Sequence, residues 1–359
     1  MSEWKEYKLG DVIQFGNGKE RPKTEGEFPV FGGNGILGFC NQSNYKDETI
    51  IIGRVGAYCG SVFYQNKPIW VSDNALAAKP KKNFHTKFLY YFLKNLQLNN
   101  FAEGSSHPLV TQTLLNSIEV SITDDLPEQK SIASILSSLD DKIDLLHRQN
   151  KTLESLAETL FRQWSAEEAE ESWERGKLGD YASVTTGKGL KRNEFIDDGL
   201  YPVLGANGEI GRTNNFLTDD RLILTGRVGT LGKIYISEDK VWISDNVLIV
   251  KPESGFFYPL YFILKRTEFE NLNVGSTQPL VTQTDLKNIE FKLPNADILK
   301  SFEKRCSTYF EKIPKNKQQI RTLTRLRDTL LPKLMSGEVR AKEAIEQNRT
   351  DKTNGRQKQ

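Results

Sequence analysis

A few basic side chains in this sequence have the type and setting to bind an anionic group. Arg54 and Arg227 each lie in a repeated Gly-Arg-Val-Gly run, at an apparent turn between β-rich segments. A guanidinium group donates several hydrogen bonds in a fixed fork, which suits a phosphate. Lys19 and Lys188, each preceded by a glycine, could act in the same way. This chemistry is binding by charge.

Residues that could catalyse a reaction are sparse. The sequence has no Gly-x4-Gly-Lys-Ser/Thr loop and no Asn-Pro-Pro-aromatic segment of an amino-methyltransferase. His85, His107 and His147 lack the spacing of metal ligands. Residues 15–18 faintly resemble a cofactor-binding Phe-x-Gly-x-Gly, but a plain turn is favoured. We therefore expect no catalytic residue, no metal site and no cofactor bound by this chain.

These candidates belong to a larger pattern, because most of the sequence occurs twice. Matching residues keep their order, and their offset drifts only between 169 and 173. The repeat includes Asp73-Asn74 and Asp245-Asn246, for which a hydrogen-bonding turn is favoured over acid catalysis. The most extended match is Pro-Leu-Val-Thr-Gln-Thr. Further matches are Trp4 with Trp173, Gly18-Lys19 with Gly187-Lys188, Gly38 with Gly211, and Trp70 with Trp242.

Each copy has the pattern of a small α+β domain. Short β-branched and aromatic runs alternate with glycine and asparagine, as in residues 49–52, 61–64 and 221–224. One helix is expected near residues 87–96 and its counterpart near 258–266. The pattern predicts a strongly curved sheet, in which the repeated glycines serve positions of positive φ or close approach.

After each copy, apolar residues recur in alternating steps of four and three, which predicts a long helix with a coiled-coil seam. The first helix, residues 127–165, would be about 58 Å long. The second seam leads to Gly337, a natural helix stop. The seams consist of Ile132, Leu136, Leu139, Ile143, Leu146, Asn150, Leu153, Ala157, Leu160 and Trp164, and of Phe302, Cys306, Tyr309, Ile313, Asn316, Ile320, Leu323, Arg327, Leu330 and Leu334.

Special residues and charge add detail to these helices. Pro314 predicts a kink in the second helix, or a helix that begins there. Asn150 and Asn316 take seam positions, where polar residues usually set the register. Residues 127–171 contain 5 basic and 10 acidic residues, whereas 293–340 contain 11 and 5. Because an exposed apolar stripe needs a partner, we expect the two helices to pair with each other.

A chain of domain, helix, domain and helix can pair its helices antiparallel and place one domain at each end. The expected fold class is therefore α+β, with two similar domains joined by two long helices in an antiparallel, pseudo-twofold coiled coil. Two similar domains at a fixed separation suit a bipartite linear target. Duplex DNA is the commonest such target.

Length and composition agree with this expectation. A chain of 359 residues suits two domains. No apolar run approaches the ~20 residues of a membrane span, and residues 1–10 lack the apolar core of a secretory signal. Cys40, Cys59 and Cys306 are odd in number and far apart, so neither a disulfide framework nor a zinc knuckle is expected. A cytoplasmic location fits these features.

Three segments resemble one protein family. They are the repeated block Gly-Ser-x-x-Pro-Leu-Val-Thr-Gln-Thr, the run QKSIASILSSLDDKI at residues 129–143, and LTRLRDTLLPKLMSGEV at residues 323–339. These segments are similar to the specificity subunit of Type I restriction-modification systems. The resemblance extends over residues 3–340, although Pro314 departs from the smooth helical pattern of the family.

The resemblance implies a domain plan. Residues 1–126 and 172–292 would be target-recognition domains, each reading one half of a split double-stranded DNA sequence. Residues 127–171 and 293–340 would be conserved spacer helices that dock methyltransferase subunits, expected to be two. Those subunits would carry S-adenosylmethionine and bring in the restriction subunits, which use ATP and Mg²⁺. The polar residues 341–359 are expected to be disordered.

If the two copies read different bases, shared positions should serve the fold or phosphate contacts, and divergent positions should read bases. Lys19, Arg54, Lys188 and Arg227 are thus the phosphate candidates. Divergent loops supply the base-reading candidates, with ordinary solvated charges as the alternative. These candidates are Arg21, Lys23, Ser106 and His107 in the first copy, and Lys191, Arg192, Asn193, Thr277 and Gln278 in the second.

The charge of the domains leaves other functions open. Residues 1–126 hold 13 basic and 13 acidic residues, and 172–292 hold 15 and 16, so weak DNA binding in isolation is expected. A stand-alone architectural DNA-binding protein would lack a copurifying methyltransferase subunit. An enzyme with an unrecognised site would show activity with Mg²⁺ or S-adenosylmethionine.

Overall fold

The computed structural model describes residues 4–104, 108–167, 173–229, 231–272 and 279–341. The chain divides into two compact units. The first unit is Met1–Leu146 together with Gln318–Gln359, and the second is His147–Lys317. Each unit therefore combines one globular copy of the repeat with a segment from each long helix. Within the described ranges, no helix is both long and apolar enough to cross a membrane.

Small sheets form the β part of the first unit. Its strands are β1 (Trp4–Lys8), β2 (Ile13–Asn17), β3 (Phe28–Gly32), β4 (Gly35–Cys40), β5 (Thr49–Gly53), β6 (Val62–Gln65), β7 (Trp70–Val71), β8 (Ala75–Pro80) and β9 (Glu119–Thr123). One sheet has the order β2-β8-β5-β6, a second has β4-β3-β7, and β1 pairs with β9. The pairing of β3 with β7 is parallel, and the others are antiparallel.

The second unit repeats this topology. Its strands are β10 (Glu174–Lys177), β11 (Ala182–Thr186), β12 (Tyr201–Gly205), β13 (Gly208–Thr213), β14 (Leu222–Gly226), β15 (Ile234–Ser237), β16 (Trp242–Ile243), β17 (Val247–Pro252) and β18 (Glu290–Leu293). The sheet orders are β11-β17-β14-β15, β13-β12-β16 and β10-β18. Each strand order matches that of the first unit, which confirms the internal repeat.

The expectation of one strongly curved sheet is wrong, because each unit has separate sheets, and a strand of the four-stranded sheet packs against the main core on one face and against the three-stranded sheet on the other. Strand β5 is buried along its whole length. Ile50 and Ile52 face the main core, whereas Ile51 packs with Phe31 and Val71 of the second sheet. A strand covered on both faces reads as a continuous apolar run. Such a run carries no alternation from which the second layer could be predicted.

Helices connect and cover these sheets. They are α1 (Leu9–Val12), α2 (Thr86–Asn95), α3 (Gln112–Ser117), α4 (Leu126–Arg162), α5 (Leu178–Tyr181), α6 (Phe257–Arg266), α7 (Gln283–Lys287) and α8 (Ala296–Ser336). The expected short helices correspond to α2 and α6. His85 caps α2, since its Nδ1 accepts the Phe88 N–H at 3.4 Å. Its own N–H donates to Gln129 of α4, which docks the long helix on the domain.

Both long helices are present, and α8 stops before Gly337 as predicted, but the end of α4 and the effect of the proline differ from the prediction. Helix α4 ends as α-helix at Arg162 and continues as a π-helical segment, Gln163–Glu167. Helix α8 runs through Pro314, so the expectation of a helix beginning at that residue is wrong. Pro314 is exposed and its neighbour Ile313 is buried. The proline therefore lies on the solvent-facing side of the helix.

Within each unit, the two helix segments run antiparallel and join the core of the domain. In the first unit Ile132 and Leu136 of α4 share a core with Leu334 of α8. In the second, Phe161 of α4 lies 5.9 Å from Phe302 of α8 between ring centroids. Every residue of the two predicted seams is buried or partly buried. Ile143, Leu146 and Asn150 are buried, and Leu139, Leu153, Leu160, Ile320, Leu323 and Leu330 are partly buried.

The expectation of a disordered tail from residue 341 onward is wrong at Ala341 itself. Ala341 was assigned to the polar tail, but it is fully buried in the core of the first unit. Its N–H donates to the Glu128 carboxylate at 3.0 Å. Trp4 contributes to the same end of the unit, because its indole N–H donates to the Met335 carbonyl at 2.7 Å. Residues 342–359 lie outside the described part of the chain.

Candidate nucleic-acid interface

The shared residues Gly18 and Lys19 fix the start of a divergent loop in the first unit. The Lys19 N–H donates to the Val71 carbonyl at 3.0 Å. The Trp70 indole N–H donates to the Lys19 carbonyl at 3.1 Å. A Cβ on Gly18 would lie 1.8 Å from the Ser72 carbonyl oxygen, so only glycine allows this approach. The Lys19 ammonium group is exposed beside a main chain that is held on both sides.

The second unit builds the same support. The Lys188 N–H donates to the Ile243 carbonyl at 2.8 Å, and the Trp242 indole donates to the Lys188 carbonyl at 2.8 Å. A Cβ on Gly187 would lie 2.3 Å from the carbonyl oxygens of Ile243 and Ser244. Lys188 is also exposed. The two lysines therefore have the accessibility that a phosphate contact needs, and their assignment stays a prediction.

Arg54 and Arg227 serve the fold through their main chains. The Arg54 N–H donates to the Asn74 carbonyl at 3.0 Å, and its carbonyl accepts the Val110 N–H at 2.9 Å. Arg227 makes the matching bonds with Asn246 and Val281, at 2.8 and 3.0 Å. Both side chains are partly buried, and the Arg54 Nε is buried without a hydrogen-bond partner. A phosphate could reach only the outer nitrogens of such a guanidinium group.

The acidic turns have the structural role that was favoured. Asp73 and Asn74 form a turn between β7 and β8, and the Asn74 carbonyl accepts the Arg54 N–H. Asp73 is exposed on this turn, as is Asp245 in the second unit. Among the described residues, no group of three or more His, Cys, Asp or Glu side chains could hold a metal ion.

The interpretation of residues 15–18 as a turn is wrong. Residues 15–17 are the end of strand β2, in register with β8. Gly16 provides room there, because a Cβ at this position would lie 2.9 Å from the Tyr45 hydroxyl oxygen. Glycine and asparagine usually signal a turn, but glycine within a strand can also leave room for a neighbouring side chain.

The divergent loop of the first unit lies against the hairpin of β3 and β4. Arg21 reaches the shared Gly38, where a Cβ would lie 2.6 Å from an Arg21 guanidinium nitrogen. Its Nη1 is also 3.5 Å from the Leu37 carbonyl oxygen. Lys23 is exposed in the same loop. The loop thus presents two cationic side chains beside the exposed apolar face of β4, which includes Ile36, Leu37 and Phe39.

The longer loop of the second unit uses the matching glycine differently. Gly211 corresponds to Gly38, and a Cβ there would lie 2.7 Å from the Phe195 ring. Arg212 holds the loop by donating to the carbonyls of Gly199 and Leu200 at 2.7 and 3.0 Å. The candidates Lys191, Arg192 and Asn193 precede this anchor and are all exposed. A common seat therefore supports two loops of different length and chemistry.

The remaining base-reading candidates, Ser106, His107, Thr277 and Gln278, lie outside the described residues. The segments that follow them are anchored in the same way in both units. The Gly56 N–H donates to the Pro108 carbonyl at 3.1 Å, and the Gly229 N–H donates to the Pro279 carbonyl at 3.0 Å. The described residues that follow both divergent blocks are therefore bonded to the segment that contains the shared arginine.

Sequence reasoning missed how Trp70, Trp242, Gly38 and Gly211 support the divergent loops. All four were recognised as repeated, but repetition alone does not say which residue contacts which. The signal lay in the combination, because each shared residue pairs with a loop that changes length between the copies.

Burial perturbs the pKa of one group beside the hairpin of the second unit. It raises the pKa of Tyr235 to about 12, and the hydroxyl donates to the Gly205 carbonyl at 2.5 Å.

Comparison with known proteins finds relatives along most of the chain. The sequence matches the family described as Type I restriction modification DNA specificity domain over residues 1–155 and 170–325. The specificity subunit of the Type I restriction enzyme MjaIX of Methanocaldococcus jannaschii is 24% identical over 351 residues, covering 85% of this chain and 80% of the relative. The MjaVIII specificity subunit of the same organism is 23% identical, covering 95% and 94%.

A solved structure has a similar fold. The crystal structure of the S subunit of a Type I restriction-modification system from M. genitalium superimposes with a TM-score of 0.75. Its sequence is 22% identical, and the match covers 93% of this chain and 96% of that chain. At this identity the likeness concerns the fold.

Proposed function

The chain belongs to the family of Type I restriction-modification DNA specificity subunits, and we propose from this premise that each unit recognises one half of a bipartite double-stranded DNA target. The family role is DNA recognition without catalysis. In this proposal the base-reading side chains lie in the divergent loops, residues 20–27 and 189–200. The helices set the distance between the two half-sites and dock the methyltransferase subunits.

The observation that carries this proposal is that two matching supports hold two dissimilar loops. The indole N–H groups of Trp70 and Trp242 donate to the carbonyls of Lys19 and Lys188. The loops that follow these two lysines nevertheless differ in length and in their side chains. Two copies that bound the same half-site would need the same reading groups. Cationic and amide side chains in such loops suit the acceptor-rich edges of guanine and adenine.

Phosphate contacts are assigned to shared residues because the DNA backbone is alike at both half-sites. Lys19 and Lys188 are exposed and sit on a fixed main chain, so they are the primary candidates. Arg54 and Arg227 are secondary candidates because their side chains are partly buried. The near equality of basic and acidic residues in each domain implies that partner subunits help to hold the duplex.

Exposed apolar residues on α4 support a docking role for the helices. Leu145 is 51% exposed and Leu156 is 46% exposed, although both lie on a helix whose other face is buried. Large apolar side chains on an exposed face often mark a protein interface. In this proposal they contact methyltransferase subunits, which carry S-adenosylmethionine and in turn bind the restriction subunits that use ATP and Mg²⁺.

Competition binding with randomised half-sites tests the division of labour. The complex of this chain with its methyltransferase subunits would be compared as wild type, Lys23→Ala and Lys191→Ala. We expect Lys23→Ala to relax selectivity only in the first half-site, and Lys191→Ala only in the second, by about 1–3 kcal/mol per lost base contact. Lys19→Ala, as a control, should weaken binding to all sequences. It should also reduce the slope of log K against log salt concentration by about 1, the value for one lost phosphate contact. Uniform loss from every substitution would refute the assignment.

Copurification tests the docking role. Leu145→Glu and Leu156→Glu should reduce recovery of the methyltransferase subunit while leaving the melting temperature of this chain nearly unchanged, because both side chains are already hydrated. A matched control is Ser134→Glu, a substitution at another exposed position of α4. A chain that binds DNA tightly and recovers no methyltransferase subunit would favour a stand-alone architectural protein instead.

A further inference from the structure

The two helix seams carry their polar residues at different positions. Helices α4 and α8 begin at Leu126 and Ala296, so a residue of α4 corresponds to the residue of α8 that is 170 positions later. Most aligned seam positions are apolar in both helices. The exceptions are Leu146 aligned with Asn316, Asn150 aligned with Ile320, Ala157 aligned with Arg327, and, next to the seam, Asp140 aligned with Phe310.

In the second unit, the two seam asparagines meet. The Asn316 side-chain amide donates to the Asn150 side-chain oxygen at 2.8 Å. It also lies 3.0 Å from the Gln149 side-chain oxygen. Asn150 is 8% exposed and Asn316 is 5% exposed, so water can hardly replace either partner. One polar group of each asparagine is therefore paired with a group on the other helix.

In the first unit, a second polar match joins the same two helices. Arg327 of α8 donates to the Asp140 carboxylate of α4 at 2.8 Å. The other oxygen of this carboxylate accepts the Tyr91 hydroxyl at 2.7 Å. The Arg327 and Asp140 side chains are only 19% and 24% exposed. The match thus involves a largely desolvated charge pair with an additional hydrogen bond from the domain.

The corresponding place in the second unit is apolar. Ala157 stands where Arg327 stands in the repeat, and it is fully buried. Phe310 stands where Asp140 stands, and its ring lies 6.2 Å from that of Phe262, which corresponds to Tyr91. The first unit thus has a charge pair at this place, and the second unit has packed aromatic rings. Neither helix could replace the other without breaking a match.

A pair formed by two copies of the same helix in this register would lose both polar matches. Two α4 helices would set Asn150 against Leu146, and the Asp140 carboxylate against Ala157. Two α8 helices would set Asn316 against Ile320 and Arg327 against Phe310, and Arg327 would keep only its bonds to Asp328 of its own helix. A buried amide or charge without a partner is strongly unfavourable. A polar residue at a seam position selects both register and partner for this reason.

We propose that the Asn150–Asn316 and Asp140–Arg327 matches are a partner code, which makes α4 pair with α8 and disfavours pairing of either helix with a second copy of itself. The code explains how two copies of one repeat can join as unlike halves, although most of their seam residues are interchangeable. It acts through the two helices and the Tyr91 hydroxyl of the first domain, and it does not depend on what the domains bind.

The test uses the full-length chain and a second chain of equal length, in which residues 3–166 are replaced by residues 173–336. In the second chain both long helices are α8. Asn316→Leu should lower the melting temperature of the natural chain by about 2–4 °C, because Asn150 loses its partner. In the duplicated chain the same substitution, made in both copies, should raise the melting temperature. Arg327→Ala should likewise lower the melting temperature of the natural chain and raise that of the duplicated chain.

Leu334→Ala is the matched control. Leu334 is a buried apolar residue, so its replacement should lower the melting temperature of both chains. Shifts of the same sign in both chains for Asn316→Leu and Arg327→Ala would overturn the proposal. If the duplicated chain does not fold, a cycle of Asn150→Leu, Asn316→Leu and the double variant in the natural chain decides. The double variant should lose less than the sum of the single losses, and additive losses would overturn the proposal.

Discussion

Replacing Trp70 with phenylalanine would separate the support of the first divergent loop from the loop itself. The indole N–H donates to the Lys19 carbonyl at 3.1 Å, and phenylalanine keeps an aromatic ring but removes this donor. A typical hydrogen bond contributes about 0.5–1.5 kcal/mol net, and here the carbonyl can be hydrated instead. The loss of stability should therefore be about 1 kcal/mol, or about 2–4 °C in a unit of this size.

The effect on DNA recognition should exceed this change in stability. The loop begins at Lys19, so a more mobile main chain at Lys19 also makes the positions of Arg21 and Lys23 less fixed. If one bidentate base contact is lost on average, selectivity in the first half-site falls by about tenfold. Trp242→Phe is the matched control, because it removes the same bond in the second unit and should affect only the second half-site.

Competition binding against both randomised half-sites, together with thermal melting, would measure the two effects separately. We expect each substitution to relax one half-site and to leave the other unchanged. Equal loss at both half-sites from either variant would refute local support of the loops. Unchanged selectivity in both variants would refute the role of the indole bond.

Three further predictions concern stability. Burial raises the pKa of Glu303, and this effect is larger than the lowering by the hydrogen bond from the Tyr258 N–H. The ionised carboxylate therefore lowers the free energy of unfolding once the pH exceeds the ordinary pKa of a glutamate. Glu303→Gln should therefore raise the melting temperature at pH 7 to 8, and this gain should vanish below about pH 4, where the carboxyl is protonated in both states; a gain that persists in acid would contradict it. Gly18→Ala should destabilise the first unit by about 1–3 kcal/mol in denaturant titrations, because the new Cβ meets the Ser72 carbonyl at 1.8 Å and backbone must move. Leu334→Ala should cost about 2–5 kcal/mol, since the side chain is fully buried, and a loss under 1 kcal/mol would argue against its place in the core.

The long helices could be predicted from the sequence because their spacing reports which face is buried. Ile132 and Leu136 recur at seam intervals and are fully buried. The continuity of α8 through Pro314 could not be predicted in this way. The spacing places Pro314 next to the seam residue Ile313, on the exposed side of the helix, but it does not say whether the helix continues past a residue without an N–H donor.

The sheets were harder to predict than the helices. Strand β5 is buried on both faces, so its apolar run signals burial but not the second sheet that covers it. The candidate site shows the same division. Repetition identified Lys19 and Arg54, yet only the structure distinguishes an exposed ammonium group from a partly buried guanidinium group. Which residues contact each other depends on strand pairing across many positions, and this information is not local in the sequence.

Methylome sequencing of cells that carry this chain with its methyltransferase subunits tests most directly whether each unit reads one half-site. We predict a methylated motif of two specific parts separated by unspecified bases. Replacing residues 20–27 should change the first part alone, and replacing residues 189–200 should change the second part alone. A single continuous motif, or a change in both parts after either replacement, would contradict recognition of one half-site by each unit.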